Sequence, residues 1–239
     1  MRTEAYAEMA ALEERHWWFR GRRAVIAALL ERSGVIGPVR LLDAGCGTGG
    51  NLRAFGHLGT ASGIDDSPEA VAVCHARGFP QVVQGTLDRL PYADAAFDLV
   101  LATDVLEHVD DDVAALRELR RVVAPSGVLV VTVPAHPWLW SAHDEALHHR
   151  RRYRRRELLD RTAQAGWRAE VVTGFNTLLL PAVAAARLAR RGRDGTDHDA
   201  TPPALDPLLV LPLRLEARLI ARGAHLPTGV SLGLALRPA

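Results

Sequence analysis

Three stretches of the chain concentrate the residue types that do chemistry. The first, Leu41-Leu42-Asp43-Ala44-Gly45-Cys46-Gly47-Thr48-Gly49-Gly50, is an apolar run that empties into glycines. Glycine at 45, 47 and 49 lets the backbone turn tightly and approach a ligand more closely than a Cβ allows. A helix opening there points unpaired N–H groups at polar or negative ligand groups. Asp65 follows Gly45 by twenty residues, at the end of a second apolar run, with Asp66 as its competitor. A carboxylate at that distance suits the two hydroxyls of a ribose. The glycines satisfy G-x-G-x-x-G through Gly50 and G-x-G-x-G through Gly49, so the loop alone leaves a nicotinamide cofactor and other adenosine ligands open.

The second stretch, 136–153, carries His136, His143, Asp144, His148, His149 and Tyr153. A histidine beside an orienting carboxylate is a proton acceptor, and His143, Asp144 and His149 are the candidates for that work. Histidine and aspartate also hold divalent ions, but the spacing of His143, Asp144, His148 and His149 follows no standard ligand pattern, and no metal is expected. The third stretch is His16-Trp17-Trp18-Phe19-Arg20-Gly21-Arg22-Arg23. Its rings either dock a helix on the core or, with Trp17, Trp18 and Arg20 facing an acceptor, form a flap over a cleft.

These residues need elements to position them. Helices are expected at 4–15 and 24–30, before the Gly37-Pro38 break. Short apolar runs at 39–44, 60–64, 81–84, 97–102 and 127–133 read as strands. Amphipathic segments at 49–57, 68–77 and 110–123 lie between them as helices, a βαβα progression with a parallel sheet. The segment 134–156 is irregular, followed by a helix to Gly166 and a strand at 168–175. Residues 176–228 form a helical insertion: an apolar helix with a basic end at 177–191, a Gly/Asp/Pro-rich linker at 192–207 and an amphipathic helix at 208–222. A last strand at 229–237 closes the chain. Residues 1–37 are thus a helical lid, and 38–175 with 229–238 the core of one domain.

Composition removes whole classes of function. Of 239 residues, 29 are basic and all of these are arginine, which excludes lysine Schiff bases, pyridoxal phosphate anchoring and the P-loop. The net charge of +1 steers nothing onto nucleic acid, and the six arginines of 150–156 come without an aromatic stacking ladder, so no nucleic-acid partner is expected. Cys46 and Cys74 are too few for a zinc or disulfide framework, and the N-terminal stretch lacks a secretory apolar core, which favours the cytoplasm. In the insertion, Arg214, Arg218 and Arg222 form a stripe opposite Leu215 and Leu219. That segment roofs an acceptor pocket, forms a homodimer surface or lies on a membrane, and the residues do not choose.

The blocks LDAGCGTG, GIDDSPEAV (63–71), LPYADAAFDLVLATDVLEHV (90–109) and LRELRRVVAPSGVLVVTVP (116–134), in this order, resemble the class I S-adenosylmethionine-dependent methyltransferases that act mostly on small molecules. The resemblance implies a Rossmann-like seven-stranded, mostly parallel sheet with an antiparallel last strand and helices on both faces. It implies S-adenosylmethionine across the carboxyl ends of strands one, two and four. Carried over by position, Asp43, Gly45, Cys46, Gly47 and Gly49 hold the methionyl end and Asp65, with Asp66, the ribose. Thr86 and Leu87 flank the adenine, and Thr103 and Asp104 lie near the sulfonium. The adenine block here begins Gly85-Thr86 where the family commonly has Gly-Asp. SAHDEALHHRRRY resembles a further block of such enzymes, which puts Arg151, Arg152 and Tyr153 beside a small, partly apolar acceptor, with Trp138 and Trp140 upstream. Methyl transfer is the implied activity. A non-methylating use of the same cofactor, such as cyclisation, an NAD(P) oxidoreductase and a noncatalytic adenosine-binding protein are the alternatives.

Overall fold

The computed structural model describes residues 3–189 and 201–239; Arg190, Arg191 and the 192–200 part of the expected linker lie outside the described residues. Strands β1 (Val39–Ala44), β2 (Gly59–Asp65), β3 (Val82–Gln84), β4 (Phe97–Thr103), β5 (Val123–Pro134), β6 (Trp167–Phe175) and β7 (Ser231–Pro238) form one sheet in the order 3-2-1-4-5-7-6. The first five are parallel neighbours, and β7 runs antiparallel to both β5 and β6. The chain leaves β1 toward β2 and β3, then returns to place β4 on the other side of β1. That reversal opens a crevice at the carboxyl ends of β1 and β4, where ligands of open α/β sheets bind.

Side-chain alternation explains why both faces are covered. Leu41, Leu99, Leu101, Val128 and Val130 face one side, with Val25, Ile26 and Leu29 of α2 (Trp17–Arg32) and Ala217 and Ile220 of α9 (Asp206–Ala221). Leu42, Val100, Ala102, Leu129 and Val131 face the other, with Leu116 and Leu119 of α5 (Asp112–Val122) and Leu158 of α7 (Arg155–Gln164). Each fully buried leucine there contributes roughly 1.5–3 kcal/mol. Local signals set the helix starts. The Ser67 hydroxyl accepts from the Ala70 N–H ahead of α4 (Pro68–Ala76), and the Asp111 carboxylate accepts from Ala114 N–H ahead of α5.

Several boundaries differ from the sequence reading, for physical reasons. The helix expected at 24–30 begins at Trp17, so the aromatic-arginine cluster is its first two turns. Its second half packs on the sheet through Val25, Ile26 and Leu29. β5 starts at Val123, where a register shift opposite Phe97 and Leu99 admits the Pro125-Ser126-Gly127 turn into the strand. A short helix, α6 (Ala142–Ala146), stands inside the segment read as irregular. In α9 it is Val210, Leu213, Ala217 and Ile220 that are buried, while Leu215 and Leu219 are exposed along with the arginine stripe. Leu213 settles on α2 at Gly21, where an added Cβ would lie 2.4 Å from its Cδ2. Among the described residues, no helix is long and apolar enough to cross a membrane.

Candidate active site

The β1–α3 turn is built by glycines at positive φ: Gly45 at 75°, Gly47 at 54° and Gly49 at 86°, ahead of α3 (Gly50–Phe55). Gly45 is doubly constrained, because a Cβ there would sit 2.4 Å from Val105 Cγ2. Asp65 ties this turn to the end of β2. Its Oδ2 accepts from Gly47 N–H at 2.8 Å and its Oδ1 from Ser67 N–H at 3.1 Å. Burial pushes its carboxyl up although both N–H groups pull it down. An ionised carboxylate has about four lone-pair positions, so two remain for a ligand. Asp43 is completely buried. Its Oδ1 accepts from Asn51 Nδ2 at 3.2 Å, and Oδ2 has no hydrogen-bond donor. Burial pushes that carboxyl up to about 7, with Asn51 and Arg22 opposing.

Other expected cofactor residues divide. Thr103 receives the second Asn51 Nδ2 hydrogen, at 2.9 Å, so Asn51 bridges β1 and β4 beneath the turn. Thr86 and Asp66 are exposed on the outer rim. Leu87 is buried in the core beside Ile64, Leu90 and Phe97, which leaves its backbone, not its side chain, at the rim. Cys46 likewise turns inward, against Leu52, Cys74 and Val82, and its thiol is pushed up by Cys74 and burial. It is a packing residue.

α1 (Thr3–Arg15) lies over the turn. Glu13 Oε2 accepts from the Thr48 hydroxyl at 2.6 Å, and Arg23 donates to the Glu13 carbonyl at 2.7 Å. Burial raises the Glu13 carboxyl against Thr48 and the neighbouring arginines. From α2, Arg22 Nη1 donates to Asp104 Oδ2 at 2.5 Å, and Thr132 donates to Asp104 Oδ1 at 3.1 Å. Asp104 follows β4 with φ at 52°, a cost for a residue with a Cβ.

Beyond Asp104 a chamber of about 300 Å³ opens between the sheet edge and the helices. Trp17, Trp18 and Phe19 line one side, Val183, Ala186 and Arg187 of α8 (Leu180–Ala189) another, and Glu107, His108, His143, His149 and Arg152 the floor. Trp18 stacks on Phe175 at 5.8 Å, and Trp17 N–H reaches Asp206 Oδ1 at 3.2 Å, which joins α2 to α9.

The proton-handling candidates meet here, paired differently from their order in the chain. Asp144 Oδ1 lies 2.9 Å from His149 Nδ1 and accepts from Arg152 Nε at 2.7 Å, while Oδ2 accepts from Ser141 N–H at 3.0 Å. Burial would raise this carboxyl, but His149 and Arg152 hold it down to about 2, so it is an anchor that fixes the His149 ring. His149 Nε2 then points toward Glu107, 4.0 Å from Oε1. His108 is lowered to about 4 by burial and by His149, and burial with the Asp104 charge raises the Glu107 carboxyl.

Five expected acceptor contacts do not face the chamber. Residues 151–153 run extended beside Ala135, so their side chains alternate. Arg152 turns in, whereas Arg151 binds the carbonyls of Val109 and Asp110, and the buried Tyr153 donates to Asp112 Oδ2 at 2.7 Å. Trp138 is 62% exposed, and Trp140, 39% exposed, donates to Glu145. Arg20 is half-buried outside the lining. The residues sequence reasoning missed are Glu13, Glu107, His108 and Arg187, while in the aromatic-arginine cluster it is Arg22, not Arg20, that meets a carboxylate. Glu107 and His108 stood inside the DVLEHV block, and only burial marks them.

Comparison with known proteins agrees with this geometry. A methyltransferase-domain family model matches residues 42–131. Norajmaline N-methyltransferase of Rauvolfia serpentina is 38% identical over 110 residues, 41% of this chain and 37% of that protein. A probable S-adenosylmethionine-dependent methyltransferase of Mycolicibacterium smegmatis is 31% identical over 168 residues, 68% of this chain and 64% of the other. The matches thus span between about a third and two thirds of these relatives' length. In fold, the chain superposes on an S-adenosylmethionine-dependent methyltransferase from Thermotoga maritima with a TM-score of 0.60, at 18% identity and over all of both chains. Turn, sheet order and relatives converge: residues 42–131 carry a methyltransferase domain, and the chain is similar over 68% of its length to an S-adenosylmethionine-dependent methyltransferase.

Proposed function

We propose that this protein transfers a methyl group from S-adenosylmethionine to a small, partly apolar acceptor held in the chamber. The observation that carries the reading is the chamber itself, walled by aromatic side chains and ending at Asp104, one residue past β4 and beside the glycine turn. The turn suits the family's cosubstrate. Asp43 Oδ2 and Asn51 Oδ1 are buried acceptors without donors, and a ligand ammonium supplies N–H groups to both. The small-molecule name of the norajmaline relative supports a small acceptor here.

Bound S-adenosylmethionine supplies an activated methyl on a sulfonium. The chain's own part is to bind, orient and exclude water, where orientation contributes roughly 7–11 kcal/mol. Arg22 and Asp104 fix the wall between turn and chamber, and Trp17, Trp18 and Phe19 close it from solvent. Asp144 and Arg152 hold the floor rigid, and His143, which lines the chamber on α6, takes the proton of a hydroxyl or amine acceptor. His149 faces Glu107 instead, which leaves it a positioning residue.

Calorimetric titration with S-adenosylhomocysteine, followed by incubation with S-adenosylmethionine and a panel of small phenols, amines and carboxylates, tests the proposal. One-to-one binding and acceptor-dependent release of S-adenosylhomocysteine are expected. Absent binding, or methylthioadenosine as the product, overturns it.

A further inference from the structure

The floor of the chamber gathers three side chains whose chemistry goes beyond holding an organic acceptor. Glu107 is completely buried, and neither of its carboxylate oxygens has a hydrogen-bond donor. Leaving a carboxylate so is costly, since buried charges are ordinarily paired or coordinate a metal. His149 Nε2 stands 4.0 Å from Glu107 Oε1, and the His108 ring packs edge-on against that of His149, with centroids 4.9 Å apart. One ligand atom from each of Glu107, His108 and His149 lies within 4.8 Å of the others.

We propose that Glu107, His108 and His149 form a binding site for a divalent transition-metal ion. Its open coordination positions face the chamber and take an oxygen of the acceptor. Two imidazoles and one carboxylate are a donor set for zinc, iron or cobalt, whereas magnesium and calcium prefer all-oxygen shells. The rings are already aimed. His149 is held through Nδ1 by Asp144, which leaves Nε2 toward the site, and the His108 ring packs edge-on against it. A carboxylate behind a histidine is the usual support of a metal-bound imidazole. Arg152 and Arg187 compensate Asp144 from behind, so the anchoring carboxylate keeps its charge without drawing on the ion. A tetrahedral ion needs donors about 3.3 Å apart, so the three side chains close by an ångström or so on loading.

The spacing along the chain hides this set, because His149 lies forty-one residues after His108 and follows a different strand. The part of the proposal that concerns the acceptor rests on the methyl-transfer reading, and the ion site itself does not. An acceptor bearing a hydroxyl next to a second oxygen would chelate the ion, and the ion would favour its ionised form. His143, outside the three ligands, lines the same chamber and receives the proton that leaves.

Cobalt(II) titrated into the chelator-treated full-length protein, read by visible absorption and by calorimetry, is the test. One saturable equivalent with d–d bands and no sulfur-to-cobalt charge-transfer band is expected. Glu107→Gln and His108→Ala should each weaken it at least about tenfold, Asp144→Asn by about 10–100-fold, and His143→Ala should leave it in place. Circular dichroism of each variant establishes that it folds, and Glu107→Asp stands in where a larger change unfolds the chain. No saturable site, binding untouched by all ligand variants, or a thiolate spectrum from Cys46 and Cys74 overturns the proposal. S-adenosylhomocysteine binding to the same metal-free protein separates the two readings: if it persists while cobalt fails, only the metal site falls.

Discussion

Arg22 on α2 and Asp104 at the end of β4 form a largely buried ion pair, Nη1 to Oδ2 at 2.5 Å, between the glycine turn and the chamber. Burial works against the Arg22 charge, yet Asp104 outweighs it and the guanidinium is stabilised overall. Its Nε is buried without an acceptor, a donor left over for a ligand. Arg22→Ala strands the Asp104 carboxylate and should cost about 2–3 kcal/mol in urea unfolding, below the full buried-pair cost because both partners retain some water contact. The double variant with Asp104→Ala should be less destabilised than the two single losses added, which a double-mutant cycle reads directly.

Asp43 predicts a pH dependence. Burial pushes its carboxyl up from the ordinary 3.8 to about 7 in the fold. A group raised in the folded state contributes stability that is complete below 3.8 and lost as pH rises through about 7. Relative to Asp43→Asn, the wild-type protein should therefore lose stability between pH 4 and pH 8. Binding a ligand ammonium reverses the preference, because the ionised carboxylate is the better partner. Calorimetry in buffers of different ionisation enthalpy should show proton release on S-adenosylmethionine binding near pH 6. Affinity should rise with pH up to about 7, by at most about tenfold per unit. Proton release that survives in Asp43→Asn would assign the effect to another group.

Gly21 lets α9 settle on α2. Gly21→Ala gains helix propensity but drives a methyl into Leu213, whose Cβ as well as Cδ2 lies too close. Overpacking should win, with a net loss of about 1–2 kcal/mol. Gly21→Ala with Leu213→Ala should recover part of it, and thermal melts of the two variants decide.

Tyr153 anchors the fold and does not touch the acceptor. Its hydroxyl donates to Asp112 Oδ2 and lies 3.1 Å from the Leu106 carbonyl, and Asp112 also pairs with Arg151 and Arg161. Tyr153→Phe should lower stability by about 1–2 kcal/mol and leave KM for the acceptor unchanged. A raised KM at unchanged stability would return Tyr153 to the chamber.

What could be read along the chain is what local chemistry dictates. Glycines at 45, 47 and 49 announce a turn of positive φ because few other residues tolerate it, and Asp65 announces the end of β2. β4 and the later part of β5 were visible as apolar runs, since burial on both faces leaves no polar alternation to confuse them. His149 and Asp144, by contrast, became partners only when α6 ended and the chain doubled back. Extended pairing beside Ala135 turned Arg152 toward the chamber and Arg151 and the buried Tyr153 away from it, a choice between odd and even that residue type does not reveal. Glu107 carries the same lesson, because a glutamate after an apolar strand reads as a solvated loop residue until the tertiary structure buries it completely. Turn and strand propensities act over a few residues and show themselves locally. Burial and pairing of charge depend on what arrives from far along the chain, and those were decided by the packing of α2, α8 and the segment after β5.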